Sequence, residues 1–423
     1  MENTQRSIYK IITAGGSGTG FKVVNNEYII TNYHVIQGNK TVAIENHKKD
    51  RFLGKVVMVN TDVDLAFISV PELRNASGTI TIDEDISISN TQKVYINGFP
   101  FGMPFTVTEG IVSSPNQPMQ GRNYLQTDAA VNPGNSGGPM LSEHGVLMGV
   151  TTSKFNQADN VGFGIRHIDV IKQIKDYKFE DELYRVKCNS CDSFEVKQTE
   201  FCSNCGNKID ISVFEEFEKS HFANFVEEAL VDLGANPILC RAGRDYWEFH
   251  QGSALVRIFI VNGNYLFATS PLNNLPKQNL EDLLIYLNTD QVSPYVLGVY
   301  DNKIYVSYRT HLSDIYSTEK ENIKVNLKKL ALKADDLDDF FKDNYACEMA
   351  IESKEQESAD FQENIVNQTV EVQEVLKETK EIENTNDLND LKTKLTKLKE
   401  VLDLGLITEE EFKHKKSEIL KNV

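Results

Sequence analysis

The chain has 423 residues, 40% hydrophobic and 25% charged, and 62 acidic against 44 basic side chains leave a formal charge of −18. Its length suggests about three domains, and the acid excess argues against nonspecific phosphate contact, so no nucleic-acid partner is expected. No apolar run approaches the ~20 residues of a membrane-crossing helix; the opening MENTQRSIYKII has no basic region followed by an apolar stretch and a cleavage site, so no signal peptide, no membrane span and a cytoplasmic location are expected.

In chain order, the first segment with chemical content is YIITNYHVIQG, Tyr28 to Gly38, an apolar β-branched run that reads as a strand ending in a short turn presenting His34. NTDVDLAFISV, Asn60 to Val70, then sets Asp64 directly before another apolar strand, with Asp62 two positions earlier. QTDAAVNPGNSGGP, Gln126 to Pro139, places Ser136 among small turn-forming residues. A serine hydroxyl is a poor nucleophile without a base beside it and backbone N–H donors aimed where negative charge develops. Gly134, Gly137 and Gly138 permit such a turn, so that the amides of Gly134 and Ser136 can converge on one oxygen. His47, among Asn46, Lys48, Lys49 and Asp50, reads as a solvated bystander.

These three blocks, in the order His, Asp, Ser, resemble the trypsin-like serine proteases, and TNYHVI, DLAFI and NPGNSGGP resemble the HtrA-like (Deg-like) branch over roughly residues 8–175. The resemblance implies an all-β double barrel with the site between the barrels. His34 would be general base then acid, Asp64 would hold its tautomer, and Ser136 would attack the carbonyl, with no cofactor needed for catalysis. Asp64 is selected over Asp62 because the family places its aspartate immediately before the Leu-Ala pair. The oxyanion hole falls on Gly134, Asn135 and Ser136. Ala130 falls at the base of the specificity pocket, and Val150, Thr151, Thr152 and Ser153 along its wall or as a strand pairing with substrate, with Val161 to Ile165 as a second wall. An uncharged pocket base implies small or medium apolar residues before the scissile bond. Asn135 replaces the aspartate that pairs with a new N-terminus in digestive enzymes, so activation by zymogen cleavage is not expected.

Past the protease block, Cys188–x–x–Cys191 and Cys202–x–x–Cys205, with Gly206 after the second pair, have the spacing of a zinc ribbon. Four thiolates leave no open coordination position, so a structural Zn²⁺ is expected to fold this element. Its removal is expected to destabilise the chain after Ile174 without a direct effect on the triad. Cys240 and Cys347 lie outside the cluster and read as buried thiols.

From about residue 211 the pattern is α+β. Phe214, Phe217, Phe222, Phe225, Ala229 and Leu233 recur at near-helical spacing up to Gly234. Strands follow over Asp245–His250, Ala254–Asn262 and Tyr265–Thr269, then a helix from Pro276 to about Leu287, strands Tyr295–Tyr300 and Lys303–Arg309, and a charged helical segment to about Tyr345. The sole tryptophan, Trp247, reads as core. This order resembles type III secretion chaperone-like domains, which implies peptide or partner binding and dimers. Residues 346–386 form an acidic linker. Leu388, Leu391, Leu395, Leu398 and Leu402 make one helical stripe, Thr408 caps a second helix, and the hairpin resembles the SHOCT C-terminal domain. So small a unit is expected to need a protein partner surface.

The domains are therefore read as 1–178 trypsin-like protease, 184–210 Cys₄ zinc ribbon, 211–345 chaperone-like α+β unit, 346–386 linker and 387–423 α-helical hairpin. The reading is a serine endopeptidase acting on protein or peptide substrates, with accessory modules that recognise substrates or partners. The competing class is a catalytically silent peptide-binding protein that keeps the cleft as a receptor.

Overall fold

The computed structural model describes residues 4–350 except 75, 77, 79, 120, 155–159, 252–253, 279, 290 and 349. All but the first residues of the linker expected over 346–386, and all of the helical hairpin expected over 387–423, lie outside the described residues.

Six short strands rich in β-branched residues form the first barrel: β1 (Ile8–Thr13), β2 (Gly16–Phe21), β3 (Ile29–Thr31), β4 (Thr41–Glu45), β5 (Arg51–Asn60) and β6 (Leu65–Ser69). They run in the order β5-β4-β1-β2-β3-β6, and β5 pairs with β6 to close the ring. Closure removes exposed strand edges and encloses the inward set Ile11, Ile29, Ile44, Val56, Ala66 and Ile68, all buried. Helix α1 (Tyr33–Ile36) is a single turn after β3.

The second barrel is closed from β7 (Lys93–Gly98), β8 (Thr106–Met119), β9 (Arg122–Thr127), β10 (Pro139–Leu141), β11 (Leu147–Lys154) and β12 (Gly162–Arg166), in the order β10-β11-β12-β9-β8-β7. Val94, Ile96, Val112, Leu125, Met140 and Met148 fill it. Helix α2 (His167–Asp176) follows and contributes Val170 to a cluster shared with Ile8, Phe21, Phe67 and Val150 of the two barrels.

The chain then returns to the first barrel. Strand β13 (Arg185–Lys187) adds in parallel to β5 through Arg185 with Met58 and Val186 with Val59, and β14 (Phe194–Glu195) pairs with β13. Val213 and Phe214 are buried in the first barrel's cluster beside Cys188 and Cys202, each worth roughly 1.5–3 kcal/mol of apolar burial. The aromatic run predicted as one helix thus divides. Helix α3 (His221–Asp232) begins only at Ser220, whose hydroxyl accepts from the Ala223 N–H. Phe214 and Phe217 precede it, and Phe214 packs in the first barrel's core.

After α4 (Pro237–Cys240), the third sheet comprises β15 (Arg241–Gly243), β16 (Tyr246–Gln251), β17 (Ala254–Val261), β18 (Tyr265–Asn274), β19 (Val296–Tyr300) and β20 (Lys303–His311), ordered β15-β16-β17-β18-β20-β19. Helices α3, α5 (Leu280–Leu287) and α6 (Lys320–Tyr345) supply its apolar cover. Left-handed backbone at Asn262, Gly263, Asp301 and Asn302 turns the two hairpins. Trp247 is buried against Phe222. The sheet meets the first barrel through Arg51, which donates from Nη1 to the carbonyls of Leu239 (3.0 Å) and Glu248 (3.2 Å) and from Nε to Glu45 (2.9 Å).

Candidate active site

The Asp64 backbone is left-handed, φ 60°, a conformation that is strained for most residues and is met at functional sites where the surroundings impose it. Several contacts do so here. Asn60 is buried at the end of β5 and its Oδ1 accepts the amides of Asp62 and Val63, both at 3.1 Å. The Asp64 carbonyl accepts from Asn32 Nδ2 at 3.0 Å and from the Tyr33 N–H at 3.2 Å. The β5–β6 turn is thereby tied to the start of α1, the turn that carries His34.

The Asp64 carboxylate completes the link. Oδ1 accepts the His34 N–H at 2.9 Å, and Oδ2 lies 2.8 Å from His34 Nδ1 and 2.8 Å from Thr152 Oγ1, which donates to it. With Nδ1 held, the imidazole keeps Nε2 for other work. Burial pushes the neighbouring Tyr33 phenol above its usual range, with the charges of Asp210 and Asp64 adding. Asp62 is instead paired with Arg122 of the second barrel.

Ser136 sits in the loop between β9 and β10, and Thr19 of the first barrel grips that loop. Its N–H donates to the Ser136 carbonyl at 2.9 Å and its hydroxyl to the Gly134 carbonyl at 2.7 Å. A Cβ on Gly137, φ 82°, would collide with the Thr19 carbonyl oxygen, which is why glycine follows the serine. The Asn135 N–H is spent on the Asn132 carbonyl at 3.0 Å. Among the described residues, neither the Gly134 nor the Ser136 N–H has an acceptor. The expected three-residue oxyanion hole thus reduces to two free donors, with Asn135 shaping the turn between them.

Ser136 Oγ donates to the Thr152 carbonyl at 3.2 Å, and no hydrogen bond joins it to the imidazole. Ser136 and His34 nevertheless line one cleft of about 600 Å³. Catalytic hydrogen bonds are often loose without substrate and tighten on binding.

The residues expected along the substrate pocket separate. Val150 is fully buried in the core shared by the barrels, and Thr151 uses its N–H on the Gly138 carbonyl and its C=O on the Gly137 N–H, both at 2.8 Å. These two residues brace the serine loop and are not pocket wall. Thr152 stands at the catalytic centre, Ser153 pairs with Phe163 across the sheet, and Ala130 is exposed. Asn60, Thr19 and the Thr152 hydroxyl are what sequence reading missed. Only Asn60 carried a local signal, since Asn-Thr-Asp is favourable for an Asx turn.

Beside the first barrel, Cys188, Cys191, Cys202 and Cys205 place their sulfurs within 4.8 Å of one another. Two similar knuckles present them: the Cys188 N–H donates to the Ser193 carbonyl at 2.7 Å and the Cys202 N–H to the Asn207 carbonyl at 2.8 Å. Asp192 and Gly206, each following a second cysteine, are both left-handed.

Residues 18–150 match the family model of the trypsin-like peptidase domain. That stretch contains His34, Asp64 and Ser136. The chain is 35% identical over 173 residues to Protease Do-like 1, chloroplastic, of Arabidopsis thaliana, covering 38% of this chain and 39% of that protein. It is 34% identical over 167 residues to Serine protease Do-like HtrB of Bacillus subtilis, covering 36% of each. A solved HtrA-type protease, AlgW with tripeptide, is 26% identical with a TM-score of 0.38, covering 41% of this chain and 61% of that one. The chain thus spans under two fifths of the length of these two relatives, and the similarity concerns the two barrels.

Proposed function

We propose that this chain is an HtrA-like serine endopeptidase. The observation that carries the reading is the convergence of His34, Asp64 and Ser136 with two unengaged amides in a segment that matches a trypsin-like peptidase domain. His34 Nε2 takes the Ser136 proton as Oγ leaves the Thr152 carbonyl and attacks the substrate carbonyl. The Gly134 and Ser136 amides hold the oxyanion, the protonated imidazole returns its proton to the leaving amine, and a water activated by His34 then hydrolyses the acyl-enzyme. Asp64 keeps the tautomer, and Thr152 orients Asp64. Small or medium apolar side chains before the scissile bond fit a site whose expected base is Ala130.

A structural Zn²⁺ at the four cysteines belongs to this proposal. Tetrahedral Zn–S bonds of about 2.3 Å require sulfurs about 3.8 Å apart; Cys188 to Cys205 is 3.7 Å and Cys191 to Cys202 is 3.6 Å. All six cysteines are unpaired thiols, which fits a cytoplasmic chain. Among the described residues no helix is long and apolar enough to cross a membrane. The third sheet and its helices are proposed as a chaperone-like adaptor for peptides or partners, on the order of its elements.

The test is labelling by a fluorophosphonate and cleavage of unfolded casein. Wild type is expected to do both, and Ser136→Ala neither, with cleavage reduced at least roughly 10⁴-fold at unchanged melting temperature. Folded wild type that neither labels nor cleaves would return the cleft to the peptide-receptor reading.

A further inference from the structure

The catalytic cleft has one wall that the protease barrels do not supply. It is lined by Ser17, His34, Val35, Gln37, Pro133, Gly134 and Ser136, and also by Ser212, Glu215, Glu216 and Phe217, which follow the cysteine cluster and lie outside the peptidase match at 18–150. This segment is fixed in place. Val213 and Phe214 are buried in the first barrel's core, Tyr184 Oη donates to the Val213 carbonyl at 2.6 Å, and the Phe217 N–H donates to the Gly38 carbonyl at 2.6 Å just past α1.

The side of the bond this wall serves follows from the serine. Ser136 Oγ faces the Thr152 carbonyl of β11, so an acyl portion laid along β11 occupies that side. Among the described residues the cleft takes none from β11. It therefore receives the leaving amine and the residues after it. Among the described residues its charge is one-sided: His34 is the only basic side chain lining it, and two carboxylates do so. Glu215 has no ion-pair partner among the described residues, and Glu216 reaches only Lys40, at 3.9 Å. A cleft walled by one sign of charge concentrates the opposite sign in its occupant. The acidic pair also stands in the same cavity as the nucleophile, its base and two unengaged amides, so a peptide is already the occupant its geometry calls for.

We propose that Glu215 and Glu216 make the leaving-group side of the cleft selective for lysine or arginine, so that the preferred substrates are polypeptides with cationic residues just after the scissile bond. This rests on the endopeptidase reading above.

The experiment uses the full chain and internally quenched peptides of one neutral sequence, with Arg, Ala or Glu placed in turn at each of the first three positions after the bond. Wild type is expected to cleave the best Arg peptide about fivefold faster in kcat/KM than its Glu counterpart, as two partly exposed ion pairs allow, with the ratio shrinking as salt rises. The double variant Glu215→Gln with Glu216→Gln should bring the ratio near one, and Glu215→Lys with Glu216→Lys should invert it. Glu218→Gln, also exposed but outside the cleft, should keep it. Wild type that labels and cleaves with no Arg preference, or a preference that survives in the double glutamine variant, overturns the inference and leaves the protease standing. Folded wild type without labelling or cleavage overturns both.

Discussion

The two barrels carry different halves of the site and are supported differently. The second holds Ser136 in a loop braced by its own β11 and by Thr19. The first holds His34 and Asp64, and chain from beyond the second barrel is laid over it: β13 extends its sheet, the cysteine cluster and Phe214 join its core, and Arg51 ties it to the third sheet. One contact path reaches the turn that presents the aspartate. Lys187, fully buried next to Cys188, donates to Asp176 (2.6 Å) and to Gln173 Oε1 (3.0 Å), and lies 3.2 Å from Asp192 of the first knuckle. Gln173 Oε1 also accepts from Asn60 Nδ2 at 3.0 Å, and Asn60 caps the turn that presents Asp64. The serine's half is thus braced by its own β11 and by Thr19 of the first barrel, whereas the half with the histidine is completed by later chain.

The largest test of this contrast is metal removal. Chelation, or Cys188→Ser with Cys202→Ser, should release about one zinc per chain and lower the melting temperature. Hydrogen exchange should rise in β5, β13 and the Asp64 turn before it rises in β10 and β11. No direct effect on the triad is expected, but Lys187 and Gln173 connect the knuckle to Asn60, so an indirect effect on the Asp64 turn is. Equal exchange in both barrels would break the comparison.

Gln173→Leu comes next. It strands Asn60 Nδ2 in the core and takes one acceptor from Lys187, so a loss of about 2 kcal/mol is expected. Thermal melts read the loss, and kcat should fall more than KM rises because the defect adjoins Asp64. Thr152→Val sharpens the contrast from the other barrel. It removes one donor to Asp64 and leaves the two from His34, so kcat should drop roughly fivefold, equivalent to about 1 kcal/mol, with stability nearly unchanged. A drop as large as that of Ser136→Ala would mean that Thr152 has a larger part than orientation.

The smallest effect concerns acid. Burial alone would raise Glu248, but the charges of Arg257 and Arg51 hold it below its ordinary 4.5. Its contribution is therefore complete above the unfolded value and is lost as pH falls through the lower folded value. Melting temperature measured downward from pH 5 should decline less steeply in Glu248→Gln than in wild type, by under about 1 kcal/mol. Parallel curves would mean that the Glu248 carboxylate, paired with Arg257 inside the third sheet, adds nothing to stability.

Residue order and local chemistry alone determined much of this protein. The His, Asp and Ser blocks, the paired cysteine spacing, the Asn262–Gly263 turn and five of the six strands of the third sheet are local patterns, because a turn or a strand is set by residues adjacent in the chain; β15 is not among them. The run from Phe214 to Leu233 shows where that reach ends. Helical spacing cannot distinguish one aromatic face from two: the Ser220 cap starts the helix late, Phe214 packs in the first barrel's core and Phe217 lines the cleft. Only the tertiary structure decided that Thr19 grips the serine loop, that Val150 is core, that Asn135 has no free amide for the oxyanion, and that Glu215 and Glu216 wall the cleft. Those facts depend on which distant segments meet, and long-range packing leaves no periodic trace in either segment read separately.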